Sequence, residues 1–411
     1  MIIEWIRRRE NWVNKSYYLI YAILFFSALM GTTEFMRWEH MTEVRNGLYM
    51  GATAAMLLLW LLGIAVQQDH RVNAVKIVLL VLGMAQFLFG GGSSLFLILM
   101  ILIGATDRKS AKVILTESLI IGICIMIITY LASVKGYIAY NITSDGRRSF
   151  GFSYYSHFSD KILYFYMMYR CLKARKLSIV EGVVAVVLMY LDFRYTHART
   201  VTICFIAFLI LCIAYDVMQI QRIKSIKIPT WIGDLMAFIA AGAYVWATML
   251  SFLGIYIYRW MQGLSELSIP SYLQSFMARL FFNSRALEEY GIRLLGQKVY
   301  EVTNPSAGEN IISGSFYLDN SFIRLFIITG VLALGVFVVY MSCFVWKSIR
   351  EKRWYLVFAL LVAAIGGLSE TFTINFYYNV FAILAFSNLG YIGKSDGSAR
   401  PGTVEECVDV G

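Results

Sequence analysis

Charge is scarce in this chain: Asp, Glu, Lys and Arg make up 15% of the 411 residues, while 59% are hydrophobic and 16% aromatic. That balance excludes the soluble globular class, because there are more apolar side chains than a soluble core can hide. Histidine is rarer still, with four residues at positions 40, 70, 157 and 197. They form no His-Glu-x-x-His pattern and no Asp-x-Asp occurs, so neither a metal nor another cofactor is expected. The six cysteines contain no Cys-x-x-Cys pair and all read as unpaired. No small-residue cleavage site follows the first apolar run after "RRRENWVNK", so that run reads as a retained span. Internal repeats are missing too.

What is abundant is long apolar sequence. "SYYLIYAILFFSALMG" and "GLYMGATAAMLLLWLLGIAV" are each long enough to cross roughly 30 Å of hydrocarbon as helices. Hydropathy predicts about twelve spans, at 16–33, 47–66, 76–89, 94–106, 113–134, 158–171, 178–193, 199–218, 231–258, 321–346, 354–369 and 374–390. The expected fold class is therefore an all-α integral membrane protein. Residues 1–258 carry nine helices and a smaller outer loop at 135–157, a large outer loop covers 259–320, three helices occupy 321–390, and a polar tail, read as disordered, covers 391–411.

With the amino terminus in the cytoplasm, the basic clusters "IRRRENWVNK", "DRKSAK", "RCLKARK", "QRIKSIK" and "KSIREKR" all fall inside. Both termini are then cytoplasmic. The large outer loop contains "PSYLQSFMARLFFNSRALEEY", which reads as an amphipathic helix with Leu273, Phe276, Met277, Leu280 and Phe281 on its apolar side and Gly291 as its stop. It is expected to lie along the membrane surface or to cap a cavity.

This topology divides the basic residues unevenly in kind: 11 Arg and 11 Lys inside, against 11 Arg and only Lys135, Lys161 and Lys298 outside. Lysine satisfies a charge rule as well as arginine does, so the outer preference points to the planar fork, which grips phosphate with two parallel hydrogen bonds. Arg148, Arg194, Arg199, Arg279 and Arg324 fall where spans meet the outer interface. The plain alternatives are pairing with nearby acids, such as Arg285 with Glu288 or Glu289, and snorkelling to headgroups.

Four patches then carry a resemblance. Arg285 and Gly296 have an Arg, ten-residue, Gly spacing; "SFGFSYYSH" enters a span after Arg147 and Arg148; "HARTVT" opens a span at Arg199; and "DNSFIRLFIITG" closes the large loop. In their order and side, these resemble Wzy-type polysaccharide polymerases, especially those of Gram-positive capsule and exopolysaccharide systems. The resemblance implies a GT-C-like polymerase/ligase architecture and a reaction that joins repeat units carried on undecaprenyl pyrophosphate at the outer face of the cytoplasmic membrane.

Carried over residue by residue, it implies pyrophosphate binding by Arg147, Arg148, Arg199, Arg279, Arg285 and Arg324, catalytic roles for Asp319, His157 and Arg285, and a substrate contact for Asn320. Where many members have His before Asn this chain has Asp319, and His157 is shifted relative to the family's pattern. A carboxylate among guanidiniums is expected to have its pKa lowered by about 1–3 units, so Asp319 reads as a weak base that orients the hydroxyl. Asn320 also fits a helix amino-terminal cap. Expected partners are the lipid-linked oligosaccharide, the bilayer and, from the resemblance, a chain-length regulator and a flippase of the same pathway; no nucleic acid is expected. A flippase is the competing reading, but it needs two related halves. A ligase would share the arginines and the loop.

Overall fold

The computed structural model describes residues 10–66, 70–91, 93–143, 146–221, 230–262, 274–301 and 317–394. Among them no strand occurs, and the three β-bridges are isolated. The helices are α1 (Glu10–Met30), α2 (Met41–Val66), α3 (His70–Phe89), α4 (Ser94–Ala105), α5 (Ala111–Val134), α6 (Tyr155–Lys173) and α7 (Ile179–Thr196). They continue with α8 (Arg199–Gln221), α9 (Thr230–Ala241), α10 (Ala243–Gln262), α11 (Gln274–Tyr290), the interrupted α12 (Ser321–Arg350) and α13 (Trp354–Gly366).

Five of these are long and apolar enough to cross a membrane: α1, α2, α5, α8 and α12. The pair α9 and α10, bent by 58°, makes a sixth if it is one span. This is compatible with a multi-pass membrane protein. The remaining apolar runs differ from the simple expectation. Helix α4 has 12 residues, about 18 Å of rise, and nine of them are buried. The run 374–390 forms no helix beyond the single turns Thr371–Ile374 and Val380–Ile383, and most of it is buried. Hydropathy registers burial without telling lipid from protein, so segments packed inside other helices read like spans. Irregular backbone is tolerated at such depth only when protein surrounds it.

The connections gather at two ends. At one, the chain after α13 ties the basic loops together: Asn388 N donates to Lys109 O at 2.8 Å, Gly393 N to Cys171 O at 3.0 Å, and Lys347 Nζ to Ala385 O at 2.9 Å. Arg353 adds bonds to the carbonyls of Gly390 and Ile392, each 2.9 Å. At the other end Glu34 N donates to Gly151 O at 2.9 Å, Arg148 N to Tyr195 O at 2.9 Å, and Ser321 N to Gly367 O at 2.8 Å. For the described loops, charge placement in the sequence and packing in the fold agree on which share an end; residues 6–9 of the first basic cluster and nearly all of "QRIKSIK" lie outside the described residues.

Several polar groups inside the bundle are partnered. Tyr17 and Tyr21 on α1 pair their hydroxyls with Thr106 at 3.0 Å and Ser118 at 2.8 Å, each bond contributing about 1 kcal/mol net. Fully buried Arg170 on α6 meets Asp216 of α8 at 3.4 Å and lies over the Tyr355 ring of α13. Helix α6 is thus a charged helix held inside the bundle.

Helix α12 breaks after its first turns. Residues Leu325–Thr329 form a π-turn, and Gly330 follows with φ +94°. The segment after α11 fills the gap: Gln297 N donates to Ile328 O at 3.1 Å and Val331 N to Arg293 O at 3.1 Å. A Cβ on Gly296, whose φ is +81°, would lie 2.1 Å from Ile328 O. The two glycines let the large loop dock against this broken helix.

Candidate functional site

A cavity of about 1400 Å³ opens at the end opposite the basic loops. Every connection that the charge pattern assigns to the outside contributes to its lining: 31–37, Ser93, 147–157, 197–200, the large loop through Arg279, Glu301 and Asp319, and 368–372. Of the predicted site residues, it gathers Arg147, Arg199, Arg279, Arg324, Asp319 and His157.

Three are absent from the lining. Arg148 lies over the Tyr195 ring, 4.9 Å from its centroid. Arg285 is paired with Glu289 one turn along α11, at 2.6 Å, with 37% of its side chain exposed. Asn320 is buried and caps α12: its Oδ1 accepts from Phe322 N at 2.9 Å and Ile323 N at 3.0 Å, while Nδ2 donates to Ser251 and Leu368. For Arg285 and Asn320 the plain alternatives describe what the side chains do here. Gly296 of the Arg–Gly spacing has a packing role, as above.

The amphipathic helix is present as α11, and Gly291 ends it with φ +65° and N–H to Leu287 O at 3.1 Å. Leu273 lies outside the described residues, as do 302–316 and the tail from 395. The face α11 buries runs through Leu280, Asn283 and Ala286, whereas Phe276 and Phe281 are exposed by 52% and 38%. Arg259 at the end of α10 holds the helix through Ser284 at 2.9 Å and Glu288 at 3.0 Å. That contact places Phe276 and Arg279 over the cavity. Of the two placements expected, α11 takes the capping one.

Most of the cavity's arginines face carboxylates. Arg279 Nε meets Asp319 Oδ2 at 3.1 Å, its Nη2 meets Glu370 Oε1 at 3.4 Å, and its Nη1 donates to Thr200 Oγ1 at 3.3 Å. Arg324 pairs with Glu301, and Arg37 with Glu34. Arg147 bonds the Tyr155 hydroxyl and lies over its ring. Arg199, exposed at the start of α8, pairs with no carboxylate among the described residues. The lining therefore holds five arginines against four carboxylates: three arginines take all four acids, Arg147 is engaged by Tyr155, and Arg199 faces no carboxylate among the described residues.

Burial raises the pKa of Asp319, opposed by Arg279 beside it. This reverses the direction expected from the sequence: desolvation outweighs the neighbouring cation. Glu370 is pushed up to about 7 by burial, with Arg279 lowering it and Asp319 raising it. Arg279, held between the two, is raised despite its burial. His157 faces the cavity with its Nδ1 bonded to the Tyr378 hydroxyl. Behind it, buried Lys161 reaches Thr32 Oγ1 and His157 O, each at 3.0 Å, and sits 4.4 Å from the Phe152 ring centroid.

Sequence reasoning passed over Glu34, Glu301 and Glu370. Glu370 had one usable signal: it is the acid in a four-residue outer connection between two apolar runs. No group of His, Cys, Asp and Glu suited to a metal occurs among the described residues, and the five described cysteines are free. Compared with known protein families, curated proteins and solved structures, the chain matches none.

Proposed function

We propose that this chain is a membrane-embedded polysaccharide polymerase of the Wzy type, acting at the outer face of the cytoplasmic membrane. In this reading the polypeptide crosses the bilayer about twelve times, in a GT-C-like arrangement, with 374–390 crossing as irregular backbone wrapped by helices. The observation that carries the reading is the convergence of all the outer connections on one cavity that combines an arginine facing no carboxylate among the described residues, a carboxylate pair and aromatic walls.

Joining repeat units moves a growing glycan from undecaprenyl pyrophosphate to a hydroxyl on the next lipid-linked unit. Negative charge then develops on the departing diphosphate. In this reading Arg199 and Arg147, both in the cavity lining, receive that charge, and one well-placed donor of this kind is worth about 2.7–4 kcal/mol. The N-terminal amides of α8 add positive potential beside Arg199. The paired arginines act differently, keeping carboxylates fixed where the acceptor hydroxyl arrives. Tyr154 and Tyr155, with ring centroids 4.2 Å apart, offer a surface for sugar rings.

Deleting the gene in its host and locating the lipid-linked sugars tests this. Single repeat units accumulating on the outer leaflet are expected. Accumulation on the inner leaflet would make the protein a flippase, and long lipid-linked chains left unattached would make it a ligase.

A further inference from the structure

The joining reaction needs a group to receive the proton of the attacking hydroxyl. Of the acids and imidazoles lining the cavity, Glu34 and Glu301 are engaged by Arg37 and Arg324, and His197 sets its ring edge-on to Phe193; Asp319, His157 and Glu370 surround Arg279 and Lys161. Asp319 is held by Arg279 Nε at 3.1 Å, with Arg324 also close enough to act on it. His157 has its Nδ1 committed to Tyr378, and an ammonium sits 3.0 Å from its own carbonyl oxygen. Of the cavity's carboxylates, Glu370 is held least. Its Oε1 takes a single contact from Arg279 Nη2 at 3.4 Å, and Oε2 makes no hydrogen bond to the described residues. The Nε and Nη2 edge of a guanidinium can grip one carboxylate with two bonds; here it is divided between two, with the shorter contact to Asp319.

Its main chain, by contrast, is pinned. Glu370 N donates to Gly366 O at 3.0 Å, and Glu370 O accepts from Ser321 Oγ, so the ends of α13 and α12 both fix this residue. A fixed backbone with one unbonded oxygen in a substrate-sized cavity is the geometry of a positioned base.

We infer that Glu370 is the catalytic proton acceptor of this site, while Asp319 stays locked to Arg279 and orients it. This rests on the polymerase reading. The hydroxyl oxygen forms its bond to the anomeric carbon as the bond from that carbon to the pyrophosphate oxygen breaks. The electron pair leaves with undecaprenyl pyrophosphate, the hydroxyl proton passes to Glu370 Oε2, and water removes it before the next turnover. A pKa pushed up to about 7 by burial suits a group that must accept a proton near neutrality and release it again. The other groups whose charge acts on or with Glu370 are Arg279, Asp319, Asp160, the phenols of Tyr154, Tyr317 and Tyr378, and the Cys204 thiol.

The test uses the full chain in liposomes, supplied with lipid-linked repeat units extracted from cells lacking the gene, and measures kcat and KM against pH. Wild-type kcat is expected to fall about tenfold per pH unit below the Glu370 pKa, because the protonated carboxyl cannot accept a proton. Glu370→Gln should lower kcat roughly 10²–10⁴-fold with KM little changed and should abolish that acid limb. Glu370→Asp should keep partial activity with the limb displaced, which separates a chemical role from a folding defect. Wild-type kcat in Glu370→Gln, or an unmoved limb in Glu370→Asp, overturns the assignment. Failure of the wild-type protein to join units at all overturns the polymerase reading, and the assignment falls with it.

Discussion

Arg279 and Asp319, forty positions apart, meet in the cavity lining at 3.1 Å, so a residue on α11 is tied to the chain that leads into α12. The same guanidinium reaches Glu370 at 3.4 Å. One cation thus fixes three separate parts of the chain.

Removing that cation leaves two carboxylates facing each other in a partly dry site. Arg279→Ala is expected to destabilise the protein by about 3 kcal/mol, the lower end for breaking a buried pair, because the cavity leaves 24% of the Arg279 side chain accessible. Arg279→Lys should recover much of that stability but little turnover, since an ammonium cannot span both partners. Thermal unfolding in detergent, set beside polymer yield, separates the two effects; equal recovery of both in the lysine variant would count against a bridging role.

Arg199 and Arg285 should respond differently to the same change. Arg199→Lys keeps the charge and loses the fork, and polymer formation is expected to fall about 10²–10³-fold at normal membrane levels. Arg285→Lys should be nearly silent, because an exposed pair one turn apart on a helix contributes about 0.3–0.5 kcal/mol. Gel profiles of polymer from complemented cells check both. A silent Arg199→Lys would remove the main support for anion binding at α8.

Gly296→Ala should be severe. Its φ of +81° costs an L-residue about 1–2 kcal/mol, and the added Cβ meets Ile328 O at 2.1 Å, a backbone atom that cannot step aside. Gly291→Ala is the control: φ is +65° but nothing lies within 4 Å, so about 1 kcal/mol is expected. Melting temperatures of the two purified variants should differ clearly, and equal values would show that the loop does not dock on the broken helix.

Sidedness can be read directly. A cysteine at Glu39, whose side chain is 90% exposed, is expected to react with a membrane-impermeant maleimide in intact cells. A cysteine at exposed Arg175 should react only after lysis. The reverse pattern would place the cavity in the cytoplasm and end the polymerase reading.

Part of the candidate site is legible in the sequence. Arg199, Arg279 and Arg324 are marked by their expected place at span ends, and Arg147, His157 and Asp319 by the resemblance; all six line the cavity, whereas Arg148 and Arg194, marked by span ends too, do not. Arg285 is marked by a spacing alone, and spacing along a helix does not say which face a side chain takes. Its neighbour Glu289, four residues on, accounts for it better. Glu370 carries no motif, because its importance comes from Arg279, 91 positions away.

The sequence by itself determined the helical, membrane-compatible character of the chain, the amphipathic helix with its glycine stop, and the sorting of loops into a basic end and an arginine-rich end. Those properties are local or additive: periodicity, length and charge are all read along one stretch at a time. Only the tertiary structure decided that α4 and 374–390 are buried inside protein, that Asn320 caps a helix, and that three of the cavity's arginines are matched by acids. Pairing depends on which distant segments pack together, and desolvation at that junction reversed the direction expected for Asp319.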